Sequence, residues 1–139
     1  MSVKKTRFDK AIETRRLYKF EGDWFKRTFF SKSRKIEYLR SEAIYIWRKM
    51  KFTKPMPNIK AGKGTWFGGY WYSYYSVSEG IVLSRSQRNI VTLVHEIVHH
   101  LGHNEHDRNF VRQYFKIFKK CYGFNDNQIE FLRYVYKLP

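Results

Sequence analysis

The sequence contains a single cysteine, Cys121, and this shortage excludes two kinds of structure. One cysteine cannot form an intramolecular disulfide, which is typical of proteins that fold in a reducing cytosol. It also excludes a zinc site of the zinc-ribbon type, because such a site needs several cysteines. We interpret Cys121 as a small, partly buried side chain and not as a reactive thiol.

Long apolar segments are lacking as well. No stretch approaches the roughly 20 apolar residues that a membrane-spanning helix needs, and residues 1–19 are basic without the apolar centre of a signal peptide. The sequence shows no repeat, linker or low-complexity tract, and 139 residues suffice for one hydrophobic core. We therefore expect one domain, residues 1–139, with no membrane contact, in the cytoplasm, or in the host cytoplasm if a phage encodes the chain.

Acidic residues are scarce: 12 Asp and Glu stand against 28 Lys and Arg, a formal net charge of +16. Residues 1–54 hold 17 of the basic and 6 of the acidic side chains. Such an excess favours polyanions through counterion release, and nucleic acid is the usual polyanion of a cytosol. Aromatic residues that could stack on unpaired bases are interleaved with this charge: Tyr18, Phe20, Trp24, Phe25, Phe29 and Phe30.

Two interpretations of this basic N-terminal region remain open. It binds nucleic acid, or its rings belong to the core and its charges form an ordinary solvated surface. No recognised DNA-binding motif is present in the sequence, which disfavours sequence-specific recognition.

All five histidines of the chain fall within residues 95–106, and the segment opens with His95-Glu96-Ile97-Val98-His99. Residues four apart on a helix lie one above the other, so His95 and His99 can offer two imidazoles to one metal ion. Glu96 then stands beside the metal-bound water as general base. This spacing is typical of zinc hydrolases, in which three protein ligands leave the fourth position to water.

The surroundings of the motif favour a helix. Apolar residues recur at helical spacing from Ile90 to Leu101, and Ser86 is a candidate N-cap. His95 and His99 fall on the opposite arc, so we expect their imidazoles to face away from the core.

The third ligand has several candidates. Gly102 is expected to end the helix, since glycine is the usual residue after a helix C-terminus, and the chain can then turn back towards the metal. His100 points about 100° away from His99 and cannot share the ion. His106 is favoured over His103 because a ligand from a second element closes a tetrahedral site more readily; Glu105 is a further alternative.

The segment His95-Glu96-x-x-His99, followed after six residues by His106-Asp107-x-x-Phe110, resembles the metallopeptidase core of the SprT-like family. Glycine-rich strands upstream, at 62–70 and 80–84, are similar to those of small phage and actinobacterial metallohydrolases of that type. The resemblance covers roughly residues 35–137.

The resemblance implies that His95, His99 and His106 bind one zinc ion per chain, that Glu96 is the general base, and that Asp107 and Phe110 are structural. Two departures matter. The chain lacks the cysteine-rich zinc ribbon of many SprT-type proteins, and Glu105 occupies the position of the last histidine in the metzincin pattern. A site with Glu105 as carboxylate ligand therefore stays open, below the His106 hypothesis.

The pattern of elements predicts an α+β fold, a minimal zincin-like domain with a basic N-terminal extension (residues 1–34) and a core (residues 35–139). A small antiparallel sheet is expected to pack against a backing helix and the motif helix, with two C-terminal helices after them. Helices are predicted at 9–18, 31–50, 88–101, 108–122 and 128–136, and strands at 58–61, 65–76 and 81–84.

These observations predict a zinc metallopeptidase whose substrate is protein or peptide, including protein associated with nucleic acid. A zinc-bound water, activated by Glu96, would attack the peptide bond. Two alternatives stay open. One is a basic nucleic-acid-binding protein with a structural zinc or an inactive peptidase site. The other is an amidase or similar hydrolase that uses the same zinc on a non-protein substrate.

Overall fold

The computed structural model describes residues 5–139, so residues 1–4, at the start of the predicted basic extension, lie outside the described residues. Within this range the predicted α+β class is confirmed by five α-helices, a three-stranded sheet and a separate two-stranded hairpin. In chain order the elements are α1 Arg7–Trp24, α2 Ile36–Met50, β1 Ile59–Ala61, β2 Thr65–Phe67, β3 Tyr70–Tyr72, β4 Tyr74–Ser76, β5 Gly80–Leu83, α3 Ile90–His100, α4 Arg108–Tyr122 and α5 Asp126–Val135.

Helix α1 is longer than predicted. It begins after Thr6, which forms a reciprocal capping box with Asp9, and it continues through Gly22 to Trp24 instead of ending near residue 18. A glycine inside a helix costs about 1 kcal/mol relative to alanine. Burial of Leu17 and Phe20, both fully inaccessible to solvent, offsets this cost and keeps the chain helical.

Helix α2 is shorter than predicted, because residues 29–31 form a separate 3-10 turn. The helix starts at Ile36, and its buried residues Leu39, Ala43 and Ile46 recur at helical spacing. This helix packs against α4 and also contacts α3 and β1.

The sheet is mixed, so the prediction of an antiparallel sheet was wrong. Strand β5 is central: β1 pairs with it in parallel, with Ile59 opposite Ile81, and β4 pairs with it in antiparallel orientation, with Tyr75 opposite Ile81. The chain leaves β1, forms the β2–β3 hairpin, re-enters the sheet as β4 in the opposite direction and then turns back into β5. Strand β5 therefore runs in the same direction as β1.

The predicted strand 65–76 is broken into three pieces. Gly68 and Gly69 both have positive φ, 57° and 84°, and form the turn between β2 and β3. These left-handed conformations are open to glycine at little cost. The resulting hairpin pairs Trp66 with Trp71 and stands apart from the main sheet.

The three C-terminal helices start at side-chain caps. The N-cap of α3 is Asn89, whose side chain accepts a hydrogen bond from the Thr92 amide, so the predicted cap at Ser86 was wrong. The predicted range 108–122 of α4 is confirmed, with Asp107 as its N-cap and Gly123 as its C-cap, and α5 is capped by Asn125. None of the helices among residues 5–139 combines the length and the apolar character that crossing a membrane requires.

The core lies between the helices and one face of the sheet. Its aromatic part joins α1 to α4, with Phe20, Phe25 and Phe118 fully buried. Residues 7–25 thus pack into the same hydrophobic cluster as the rest of the described chain. Phe20 and Phe25 are therefore too buried to stack on unpaired bases, so the prediction of that role was wrong for these two residues.

Candidate metal centre

Three imidazoles converge at one point of the structure. His95 and His99 lie one turn apart on α3, and His106 lies in the loop before α4. Each offers one ring nitrogen, and the three atoms lie within 4.8 Å of one another. The group could therefore hold a metal ion.

His95 is oriented by a carboxylate from α1. Its Nδ1 lies 3.0 Å from Oε2 of Glu21, and the Tyr114 hydroxyl donates to the same oxygen at 3.2 Å. Histidine ligands of metals commonly donate their second ring nitrogen to a carboxylate, which fixes the tautomer and raises the basicity of the ligating nitrogen. Glu21 is in position to do this for His95.

The other two imidazoles have partners of the same kind. The Nδ1 of His99 donates to the backbone carbonyl of His103 at 2.8 Å, in the loop that follows Gly102. The Nδ1 of His106 lies 2.9 Å from the Thr14 hydroxyl. Each of the three Nδ1 atoms thus contacts a group outside the three imidazoles, and Nε2 is the nitrogen left to bind a metal ion.

The electrostatics of the group fit a cation. Burial lowers the pKa of His95 to about 3, of His99 to about 4 and of His106 to about 3, so all three rings are neutral near pH 7. A carbonyl only accepts, so the proton of His99 sits on Nδ1 and its Nε2 carries a lone pair. The Nε2 atoms of His95 and His106 are 3.0 Å apart. With Glu21 ionised, the proton of His95 sits on Nδ1 and its Nε2 carries a lone pair that a cation would stabilise.

An aromatic floor lies beneath the three imidazoles. The ring centroid of Phe110 is 5.0 Å from those of His95 and His99 and 4.9 Å from that of His106. The Phe110 amide donates to Asp107, the N-cap of α4. The segment from 106 to 110 therefore supplies one imidazole, the start of a helix and an apolar floor.

Helix α1 covers the side of α3 that bears the histidines, which the sequence predicted to face away from the core. The ring of Tyr18 stacks on His95 at 5.6 Å, and only 4% of His95 is exposed. Periodicity identified the side of α3 that packs on the sheet. It could not show that a second helix packs on the other side.

A cleft of about 400 Å³ opens beside the imidazoles, lined by residues of α1, α3 and the hairpin, among them Tyr18, Glu21, Tyr70, Tyr72, His95 and Glu96. Glu96 is 6% exposed. Its burial, together with the Glu21 carboxylate, raises the pKa of Glu96 to about 8. A carboxylate in this state accepts a proton readily near neutral pH.

The remaining candidates from the sequence lie outside the three-imidazole group. His100 contacts the Tyr75 hydroxyl and the Pro55 carbonyl through its two ring nitrogens. The imidazole of His103 lies outside the group, whereas its backbone carbonyl accepts the hydrogen bond from His99. Glu105 forms an ion pair with Lys10 at 2.8 Å on the surface.

Sequence reasoning missed Thr14, Tyr18 and Glu21 as parts of one site. Their spacing of four and then three residues puts them on one face of a helix. The helix predicted at 9–18 stops short of Glu21, because a glycine such as Gly22 is typical of a helix end. Leu17 and Phe20 are buried on the adjacent face of the helix, and their spacing is the signal that could have extended the predicted helix towards Glu21.

No protein-family model, curated protein or solved structure matches this chain. The functional interpretation therefore rests on the site itself. The structure shows a buried group of three histidines that could hold a metal ion, and Glu96 lines the adjacent cleft.

Proposed function

We propose that the protein is a zinc-dependent metallopeptidase of minimal zincin-like architecture, with His95, His99 and His106 as ligands and Glu96 as general base. One observation carries the proposal. Three Nε2 atoms converge while each Nδ1 is held by a partner of its own. A ligand set ordered in this way matches the outer-shell arrangement of metal-binding histidines.

The number of ligands favours a catalytic over a structural zinc. Structural zinc sites have four protein ligands, whereas catalytic sites have three and leave one position to water or substrate. Among residues 5–139 the group has three members. This count supports the peptidase over the alternative of a nucleic-acid-binding protein with a structural zinc.

The chemistry that zinc supplies, when bound, is a water of pKa about 7 and a Lewis acid for the scissile carbonyl. Glu96 takes the proton of the attacking water and passes it to the leaving nitrogen. Its place next to His95 on α3 and its position in the lining of the cleft support this role.

Two tyrosines of the cleft bind and orient the substrate in this proposal. Tyr18 and Tyr72 stack with centroids 6.2 Å apart and line the cleft. Burial and the carboxylates of Glu21 and Glu96 raise the pKa of Tyr18, so its hydroxyl stays protonated. We assign Tyr18 as the hydrogen-bond donor to the oxyanion of the tetrahedral intermediate.

Substitution of Glu96 by glutamine tests the proposal. Glu96→Gln should keep about one zinc per chain, because Glu96 is not a ligand, and should lower kcat by about 100-fold or more, because the general base is lost. Zinc is measured by elemental analysis, and cleavage of an unfolded protein by mass spectrometry of the products.

Glu105→Gln is the matched control. Glu105 is an exposed carboxylate paired with Lys10, so this variant should keep both zinc and cleavage. Equal cleavage by wild type and Glu96→Gln would overturn the peptidase proposal. A wild type that retains zinc yet cleaves only small amides would support the non-peptide hydrolase instead.

A further inference from the structure

The β2–β3 hairpin separates two cavities. Tyr70 and Tyr72 of β3 line the cleft beside the imidazoles. Trp71 lies between them in sequence and lines a second cavity, a groove of about 510 Å³. Because successive side chains of a strand point to opposite faces, one face of the hairpin lines each cavity.

The groove is strongly basic. Lys63, Arg85 and Arg88 line it, and no acidic side chain of the described residues does. None of these three cations takes part in an ion pair within residues 5–139. The Arg88 Nε donates to the Leu83 carbonyl at 3.3 Å, which holds the guanidinium at the end of β5. Three unneutralised cations around one groove fit an anionic ligand.

The groove also offers exposed aromatic rings. Trp71 is 40% exposed and Trp66, its partner across the hairpin, is 56% exposed, with their ring centroids 5.2 Å apart. The Lys63 ammonium lies 6.0 Å from the centroid of Trp71. Aromatic rings flanked by cations bind unpaired bases by stacking while the cations contact phosphates.

We propose that this groove, defined by Lys63, Trp71, Arg85 and Arg88, binds single-stranded nucleic acid. A base stacks on Trp71, with Trp66 supporting it, and the three cations contact the backbone phosphates. This surface is distinct from the basic N-terminal region, since all four residues lie between β1 and α3. Ser86 lines both the groove and the cleft, so the two cavities adjoin.

The ligand class follows from the pairing of rings and charge. An acidic peptide would satisfy the cations but would leave the tryptophans without a planar partner. A duplex would contact the cations but keeps its bases stacked in its interior. The single strand is the ligand that uses both features, and binding does not depend on metal or on Glu96.

Fluorescence anisotropy with labelled single strands tests the proposal. The probes are short oligothymidylate, short oligouridylate and a DNA duplex of the same length. Single strands should bind more tightly than the duplex, and the two single strands distinguish DNA from RNA. Trp71→Ala should weaken single-strand binding by about fivefold or more, whereas Trp71→Phe, which keeps a ring, should retain most of it.

The charge contacts are tested with a double variant and a matched control. Lys63→Gln with Arg85→Gln should weaken binding and reduce the slope of log K against log salt by about 1.4, because each phosphate contact on a single strand contributes about 0.7. Lys116→Gln with Lys120→Gln removes the same charge from an exposed face of α4 and should have a smaller effect.

Several outcomes would overturn the inference. They are equal binding of duplex and single strand, no single-strand binding by wild type at low salt, or Trp71→Ala binding as well as wild type. Retention of helical circular dichroism shows that a variant is folded. Glu96→Gln should bind oligonucleotide like wild type, so loss of cleavage and loss of nucleic-acid binding are separable results.

Discussion

Glu21 contacts two buried groups from different helices, the imidazole of His95 on α3 and the hydroxyl of Tyr114 on α4. Its own burial raises its pKa to about 8, which shows how costly an isolated charge is at this position. A neighbouring cation would stabilise the ionised form. At the level of single residues, we therefore expect a metal ion at the three imidazoles to favour the ionised form of Glu21.

Glu21→Gln should lower zinc affinity by about 10- to 100-fold, because an amide oxygen supports the His95 ligand less strongly than a carboxylate. Competition with a chromogenic chelator measures the affinity. Asp23→Asn on the same helix is the control, since Asp23 is half exposed and pairs with Lys19, and it should leave affinity unchanged. Unchanged affinity in Glu21→Gln would contradict the assignment.

Tyr18 is the side chain whose hydroxyl we assign to the oxyanion. Tyr18→Phe keeps the ring that stacks on His95 and removes only the donor. We expect kcat to fall by about 100-fold with zinc content and KM little changed, because the lost interaction forms in the transition state. A rise in KM at constant kcat would instead indicate a role in substrate binding.

Among the elements, strand β5 links the sheet to the site, since it leads into α3. Its first residue, Gly80, has φ of 77°, and an added Cβ would lie 2.3 Å from the Asn58 carbonyl oxygen. That oxygen accepts the hydrogen bond of the Ile81 amide at 2.8 Å. The start of the β1–β5 pairing therefore requires glycine for its space as well as for its φ.

Gly80→Ala and Gly123→Ala form a matched pair, because Gly123 has φ of 78° and open space around its Cβ position. Gly123→Ala should cost about 1–2 kcal/mol, the penalty of the left-handed conformation. Gly80→Ala should cost at least about 3 kcal/mol, because steric overlap is added. Urea unfolding measures both, and equal losses would show that the space at Gly80 is unimportant.

On the scale of the whole molecule, the candidate metal site joins parts of the chain that are far apart in sequence. Its three imidazoles come from α3 and the loop before α4, and their partners Thr14 and Glu21 come from α1. A bound ion should therefore stabilise the folded protein as a unit.

Chelation should lower the free energy of unfolding of the wild type by about 2.7 kcal/mol at metal concentrations 100-fold above Kd. His106→Ala should bind metal weakly and respond little to chelator. His103→Ala should respond like wild type, because its imidazole lies outside the group and its carbonyl is retained. The opposite result, with His103→Ala insensitive to chelator, would reassign the third ligand.

Much of the fold could be predicted because local rules control it. The apolar spacing of α2 and α3 and the cap and stop of α4 at Asp107 and Gly123 follow from neighbours within a few residues, and the α+β class follows from their order. The proximity of His95 to His99 likewise depends only on the pitch of a helix. Such local features can be deduced from the amino-acid sequence.

Other features of the fold and of the candidate site became apparent only in the folded structure. The orientation of β1 against β5, the separate hairpin and the packing of α1 over the histidines depend on contacts between distant segments. Glu21 reaches His95 across 74 residues of sequence, and Thr14 reaches His106 across 92. The spacing of residues along the sequence does not reveal such pairs. They form because the buried Leu17 and Phe20 pack into the common core and thereby fix the position of α1.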